Sequence, residues 1–258
     1  MKPSHAKMLE EADVIFWIGE SIETSMEEPL DSIAKDAEVI EFMELDSIAK
    51  LKFREESIFG DHDDHDDHDD HDDHDDHDDH DDHAGHEGHN HGEFDAHIWL
   101  DPSNAKEMVH EIAHELGDLD PANKDKYEAN AEATIKALDQ LISDVGTDIN
   151  SDAKFVVFHD AYQYFEERFG VRAAGALTLN TDVLPGAKQI ADIQDVIKDK
   201  GIKCIFSEPQ FNPKIITTIA EDMNIKTGVF DPLGANIDPG KSLYFKLISN
   251  LGNELKGC

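Results

Sequence analysis

The second half of the chain contains three short apolar runs of the kind that form strands buried on both faces of a sheet. They occupy residues 154–158, 201–206 and 226–230. Helical patterns lie between or after these runs, over residues 161–169, 187–200 and 213–224. Because apolar strands that alternate with helices are typical of α/β proteins, we predict a parallel sheet in this half.

The first half repeats the alternation of strands and helices. Predicted strands lie at residues 13–19, 38–42 and 96–100, and predicted helices at residues 3–9 and 22–35. Asp101 and Pro102 then provide an N-cap and a proline in the first helical turn, so a helix is expected to run to about residue 119. The pattern predicts a second α/β unit.

A long charged stretch separates the two halves. Its apolar residues are spaced as on one face of a helix, at Tyr127, Ala131, Ile135, Leu138, Leu141, Ile142 and Val145. One rigid helix is therefore predicted between two lobes. The expected division is an N-terminal α/β lobe at residues 1–120, a linker helix at 121–150 and a C-terminal α/β lobe at 151–258.

The charge of the chain limits its partners. The sequence has 22 Lys and Arg against 59 Asp and Glu, a formal net charge of -37, which disfavours nucleic acids and anionic membranes and favours cations. No apolar run reaches the roughly 18 residues of a membrane-spanning helix, and the first residues lack the apolar segment of a signal peptide. We expect neither a nucleic-acid partner nor membrane insertion.

Residues 61–92 form a His- and Asp-rich tract without large apolar side chains to bury, so a mobile insert is expected in the N-terminal lobe. Its histidines are His62, His65, His68, His71, His74, His77, His80, His83, His86, His89 and His91. Clustered imidazoles bind zinc, copper or nickel weakly, so the tract could capture metal and pass it to a tighter site, or act as a metal buffer by itself. The alternative is an acidic spacer.

Polar side chains follow each buried-type strand of the second half. His159 and Asp160 come after the first, Glu208 after the second and Asp231 after the third. The carboxyl ends of parallel strands share one edge, where α/β proteins bind ligands, and His97 could face that edge from the first half. Two imidazoles with carboxylates suit zinc, or manganese with more oxygen ligands. Alternatively, His159 caps a helix and Asp231 makes a turn.

The predicted helix after Pro102 contains a zinc-peptidase motif. His110, Glu111 and His114 fit H-E-x-x-H, and Asp120 could be a third ligand. The apolar residues of this helix lie on its other face, which would leave the motif exposed to solvent rather than in a cleft. The methionine turn of metzincins is also missing, so we treat the peptidase as an alternative hypothesis.

The chain has two cysteines, Cys204 in a predicted buried strand and Cys258 at the last position. A disulfide between them would stabilise the fold by roughly 4 kcal/mol and would need an oxidising compartment. The other possibility is two free thiols.

Four stretches in this order resemble the periplasmic substrate-binding components of zinc-uptake ABC transporters, the ZnuA-type family. They are residues 95–102 (DAHIWLDP), 158–165 (FHDAYQYF), 207–211 (SEPQF) and 231–234 (DPLG), preceded by an acidic His-rich tract. The resemblance implies two α/β lobes joined by a long helix, with zinc bound between them. It implies His97 and His159 as ligands, Asp231 as a nearby carboxylate and a disulfide between Cys204 and Cys258.

The same resemblance implies a function without a catalytic step. The protein would be a periplasmic monomer that captures Zn²⁺ as its transported ligand and delivers it to a membrane permease. Members of this family begin earlier, with a signal peptide, a strand and a further histidine ligand before the helix that starts here near Pro3. We therefore expect the N-terminal lobe to be incomplete at its start, and His5 to be a surface residue.

Overall fold

The computed structural model describes residues 1–59, 93–179, 181 and 185–258. The predicted mobile tract at residues 61–92, with its eleven histidines, lies outside these residues. The helices of the N-terminal part are α1 (Pro3–Glu10), α2 (Glu27–Ile33), α3 (Pro102–Leu119) and α4 (Lys124–Asp148). Those that follow are α5 (Gln163–Phe169), α6 (Ala187–Asp199), α7 (Lys214–Met223) and α8 (Leu243–Leu255). The strands are β1 (Val14–Trp17), β2 (Glu38–Glu41), β3 (Phe155–His159), β4 (Ala176–Thr178), β5 (Cys204–Ser207) and β6 (Lys226–Val229).

The fold is α/β, with a parallel sheet in each of two lobes, as predicted. In the N-terminal lobe β1 pairs with β2, and the register sets Val14 beside Glu38 and Trp17 beside Glu41. Trp17 packs with Leu30 of α2 in a small buried cluster. This helix therefore covers one face of the two-stranded sheet.

The C-terminal sheet has four parallel strands in the order β4-β3-β5-β6. All five residues of β3 are buried, because helices cover both faces of the sheet. Phe206 of β5 stacks on Phe230 with ring centroids 4.0 Å apart, and Phe155 of β3 lies 5.7 Å from Phe206. This aromatic core fixes the strand ends that carry the polar residues of the second half.

One long helix, α4, joins the two halves of the chain, as predicted. α3 packs along α4, and a short 3₁₀ turn at Pro121–Asn123 joins them. α4 has 25 residues, which corresponds to a length of about 37 Å. It begins at Lys124 instead of residue 121, directly after the 3₁₀ turn. The lobe boundaries at residues 120 and 150 stay a prediction.

The predicted strand at residues 96–100 is wrong, since the chain forms a 3₁₀ turn at Ile98–Leu100. Side chains bind its backbone instead of a neighbouring strand. The amide of Asn104 donates to the carbonyl of Ile98, and the hydroxyl of Tyr244 donates to the carbonyl of Trp99. Bonds of this kind compete with strand pairing, which is why the apolar residues here do not extend a sheet.

Cys204 and Cys258 form a disulfide with their Cα atoms 5.6 Å apart, so the two-thiol alternative is wrong. The bond attaches the end of the chain beyond α8 to strand β5. Among the residues that the structure describes, no helix has the length and apolar character needed to cross a membrane.

Candidate metal centre

The structure brings His97 and His159 together from different lobes. Their ring centroids lie 5.2 Å apart, and the ring planes differ by 60°. His159 is the last residue of β3, whereas His97 directly precedes the 3₁₀ turn at Ile98–Leu100. His159 is not a helix cap, because α5 begins after Tyr162 without a side-chain cap. The pair therefore has the proximity that a shared cation requires.

A buried carboxylate orients each of these two imidazoles. Nδ1 of His97 lies 2.6 Å from Oδ1 of Asp95, and Nδ1 of His159 lies 2.8 Å from Oε1 of Glu208. A carboxylate accepts, so each Nδ1 donates its proton and each Nε2 keeps a lone pair. Metal-binding histidines typically have an outer carboxylate of this kind, which fixes the tautomer and raises the basicity of the ligand.

Helix α5 of the C-terminal lobe holds the loop that carries His97. The amide of Gln163 donates to Oδ2 of Asp95, and the hydroxyl of Tyr164 donates to the carbonyl of Asp95. The same hydroxyl accepts from the backbone N–H of Leu51, in the N-terminal lobe. The position of His97 is therefore fixed by the lobe that supplies His159.

The two histidines line a cavity of about 700 Å³ between the lobes. Lys52 and Arg54 contribute to its wall from the N-terminal lobe, and Asp160 contributes from the C-terminal lobe. Lys52 forms an exposed ion pair with Glu93. The lining of the cavity therefore combines imidazole, carboxylate and cationic side chains.

Arg54 forms two ion pairs in the wall of this cavity. Its guanidinium lies 2.7 Å from Oδ1 of Asp160 and 2.6 Å from Oε2 of Glu166, and it rests 4.1 Å from the ring centroid of Phe59. Burial raises the pKa of Glu166 to about 7, although Arg54 opposes that rise. Burial also raises the pKa of Asp160, against the charge of Arg54.

Asp231 does not line this cavity. Its Oδ1 accepts from the amide of Gln210 and from the backbone N–H groups of Leu233 and Gly234, so its carboxylate stabilises a turn. In the described part of the chain, no group of three or more His, Cys, Asp and Glu side chains has the proximity to hold a metal ion. A role for Asp231 as the nearby carboxylate stays a prediction.

The peptidase motif lies on α3, away from this cleft. His110 and His114 are exposed, and Nδ1 of His114 lies 3.0 Å from Oε1 of Glu115. That hydrogen bond and the charge of Asp118 raise the pKa of His114. Asp120 accepts instead from Asn123 and Tyr127. In the part of the chain that the structure describes, no third His, Cys, Asp or Glu joins His110 and His114 in a group that could hold a metal ion.

From the sequence we expected both histidines and the carboxylate of Glu208 at this edge of the sheet, but we assigned no role to Asp95 or Arg54. The Asp-x-His spacing of Asp95 and His97 was a usable signal, since two residues place a carboxylate beside an imidazole. Glu208 follows β5, the direct neighbour of β3, and so was expected at the same sheet edge. Arg54 has no local signal, because its partners are 106 and 112 residues away.

Comparison with known proteins finds a family and relatives that match the whole chain. A family profile described as zinc-uptake complex component A, periplasmic, matches residues 1–258. The high-affinity zinc uptake system protein ZnuA of Brucella abortus (strain 2308) is 48% identical over 267 residues, which cover 100% of this chain and 80% of that protein. The protein of the same name from Yersinia pestis is 32% identical over 260 residues, covering 100% of this chain and 79% of the relative.

Solved structures share the fold. A ZnuA crystal structure has a TM-score of 0.72 at 24% identity and covers 98% of this chain and 83% of the other. The laminin-binding adhesin of Streptococcus agalactiae has a TM-score of 0.73 at 24% identity, with coverages of 99% and 86%. At this level of identity the likeness extends to the two-lobed architecture alone.

Proposed function

The chain belongs to the ZnuA family of periplasmic zinc-uptake components, and on that premise we propose that it binds Zn²⁺ between its lobes and delivers it to an ABC-transporter permease. The observation that carries the proposal is the pairing of His97 with His159, each with its Nδ1 bonded to a buried carboxylate. This leaves two Nε2 lone pairs available from opposite lobes.

The donor set suits zinc as a transported ion. Zn²⁺ prefers nitrogen ligands in a four-coordinate shell, and two imidazoles leave positions for water or a carboxylate such as Asp231. Asp95 and Glu208 are buried anions that offset part of the charge of the cation without occupying its coordination sphere. A shell completed in part by exchangeable ligands also permits release to the next protein in the transport path.

Two features support export as part of this proposal. The disulfide between Cys204 and Cys258 favours an oxidising compartment, which the periplasm is and the cytosol is not. The relatives at 48% and 32% identity carry the name of a zinc uptake system, whose membrane component is the expected partner. We propose a periplasmic monomer with no catalytic step.

Zinc titration of three variants tests the proposal. His159→Ala should weaken tight binding by about 100-fold or more, because it removes a ligand and leaves Glu208 as an unpaired buried carboxylate. His110→Ala, the matched control on the exposed face of α3, should bind zinc like the wild type. A variant without residues 61–92 should keep the tight site and lose only weak binding. Tight binding that vanishes with that deletion but survives His159→Ala would overturn the proposal.

A further inference from the structure

Arg54 places a permanent positive charge in the wall of the cavity that contains His97 and His159. A fixed cation weakens the binding of any divalent ion nearby, so its presence in a proposed zinc cleft needs a physical reason. Its side chain is 18% exposed, while those of Asp160 and Glu166 are 4% and 3% exposed. The guanidinium is therefore held in place by two buried carboxylates.

Asp160 is the partner of Arg54 that could itself bind metal. It directly follows His159 and lines the same cavity. Its Oδ1 instead accepts from Arg54 at 2.7 Å, which occupies that oxygen. Glu166 and the ring of Phe59 fix the guanidinium from its other sides, so Asp160 is paired with a cation that is itself held in place.

The type of donor decides which divalent ion such a cleft prefers. Imidazole nitrogens suit zinc, whereas carboxylate oxygens suit manganese and magnesium. Resting on the proposed function, we infer that Arg54 is a positioning residue for metal selectivity. By engaging Asp160 it keeps the donor set rich in nitrogen and favours Zn²⁺ over Mn²⁺.

The ratio of Mn²⁺ to Zn²⁺ dissociation constants separates this role from a general effect of charge. Removal of the positive charge changes the electrostatic attraction of two doubly charged ions equally, so that contribution cancels in the ratio. In Arg54→Met, Asp160 becomes free to bind, and we expect the ratio to fall by about tenfold as Mn²⁺ gains more than Zn²⁺. A merely structural role would weaken both ions without this shift.

Arg54→Met leaves Glu166 buried without its cation, so a companion variant guards against failure to fold. Arg54→Met/Glu166→Gln removes the unpaired carboxylate and should show the same fall in the ratio. Glu166→Gln alone keeps Arg54 on Asp160 and should keep the ratio of the wild type. Adding Asp160→Ala to the double variant removes the freed oxygen ligand and should restore that ratio.

Each result has one meaning. An unchanged ratio in the double variant overturns the inference, and so does a lowered ratio that persists after Asp160→Ala. His159→Ala is titrated in parallel with both ions. If His159→Ala binds zinc as tightly as the wild type, the proposed function fails together with this inference. If His159→Ala loses zinc binding but Arg54→Met/Glu166→Gln keeps the wild-type ratio, only the role of Arg54 is rejected.

Discussion

Glu208 orients the imidazole of His159 from the neighbouring strand: Oε1 of the carboxylate lies 2.8 Å from Nδ1 of the ring, although 49 residues separate the two positions. Parallel pairing of β3 with β5 makes this contact possible, because both residues lie at the carboxyl ends of adjacent strands. The bond holds the Nδ1 proton and directs Nε2 into the cleft. Glu208 therefore acts on a cation through His159.

Substitution of Glu208 should weaken zinc binding in two steps. Glu208→Gln keeps an acceptor for Nδ1 but removes the negative charge, and we expect zinc affinity to fall by about tenfold. Glu208→Ala also removes the acceptor, so the loss should approach about 100-fold. Competition titration against a chelator of known zinc affinity measures both effects.

The chain offers a matched control for this experiment. Glu115 makes a similar bond, with Oε1 3.0 Å from Nδ1 of His114, on helix α3 outside the cleft. Glu115→Gln should leave zinc affinity at the wild-type value. If the substitutions at Glu115 and Glu208 lowered affinity equally, the orienting role of Glu208 would be contradicted.

Much of the fold was predictable because buried parallel strands carry a local signal. The runs that became β3 and β5 are apolar over consecutive positions, and the helices between them have one apolar face. Residues 226–230 were correctly predicted as a strand, but the expectation that it is buried on both faces is wrong. β6 is the edge strand of the sheet and exposes Lys226, Thr227 and Val229. β4 has only three residues, Ala176–Thr178, and is too short to produce such a pattern. The run at residues 96–100 was wrongly predicted as a strand. The side chains of Asn104 in α3 and Tyr244 in α8 bind its backbone, and the sequence of the run itself does not indicate these contacts.

The residues of the candidate site also include some that the sequence predicts and some that it does not. The position of His159 was predictable because it ends a buried parallel strand, and its pairing with His97 because the surrounding motifs resemble a known family. The ion pairs of Arg54 were not, since they depend on how the segment before residue 60 crosses to the other lobe. Contacts of that kind are set by tertiary packing, which no local pattern of residues encodes.

Asp101 has two roles that different substitutions should separate. Its Oδ1 caps α3 by accepting from the N–H of Ser103, and both carboxylate oxygens accept from Arg168 of the other lobe. Asp101→Asn keeps the cap and weakens the ion pair, whereas Asp101→Ala loses both. Urea unfolding should find the alanine variant less stable than the asparagine variant by about 1 kcal/mol or more, since the cap alone contributes about that much.

An exposed ion pair provides the comparison for Asp101. Asp139 lies 2.8 Å from the ammonium of Lys106 and its side chain is 58% exposed, so Asp139→Asn should change the free energy of unfolding by roughly 0.5 kcal/mol or less. Equal stability of Asp101→Ala and Asp101→Asn would show that the cap contributes nothing measurable.

Glu166 should make the stability of the protein fall as pH rises. Burial raises its pKa from 4.5 to about 7, so between these values the folded state binds a proton that the unfolded state has released. The contribution of the protonated carboxyl is fully present below pH 4.5 and is lost as pH rises through 7. In Glu166→Gln this dependence disappears.

The difference in unfolding free energy between Glu166→Gln and the wild type isolates this group, because other titrations cancel. From pH 5 to pH 8 the difference should move by about 2 kcal/mol in favour of the variant. Urea titrations at the two pH values measure it. A difference that stays constant with pH would show that Glu166 does not titrate in this range.

The disulfide between Cys204 and Cys258 should contribute much of the stability of the C-terminal lobe. The cysteines are 54 residues apart, and cross-linking a loop of that length stabilises a protein by about 4 kcal/mol in the chain-entropy model. Cys204→Ala/Cys258→Ala is the suitable variant, because Cys204 is buried and a serine would bury a hydroxyl there. Urea unfolding of this variant, and of the wild type in excess thiol, should give the same loss. If the oxidised wild type unfolded at the urea concentration of the variant, the bond would not constrain the unfolded chain as proposed.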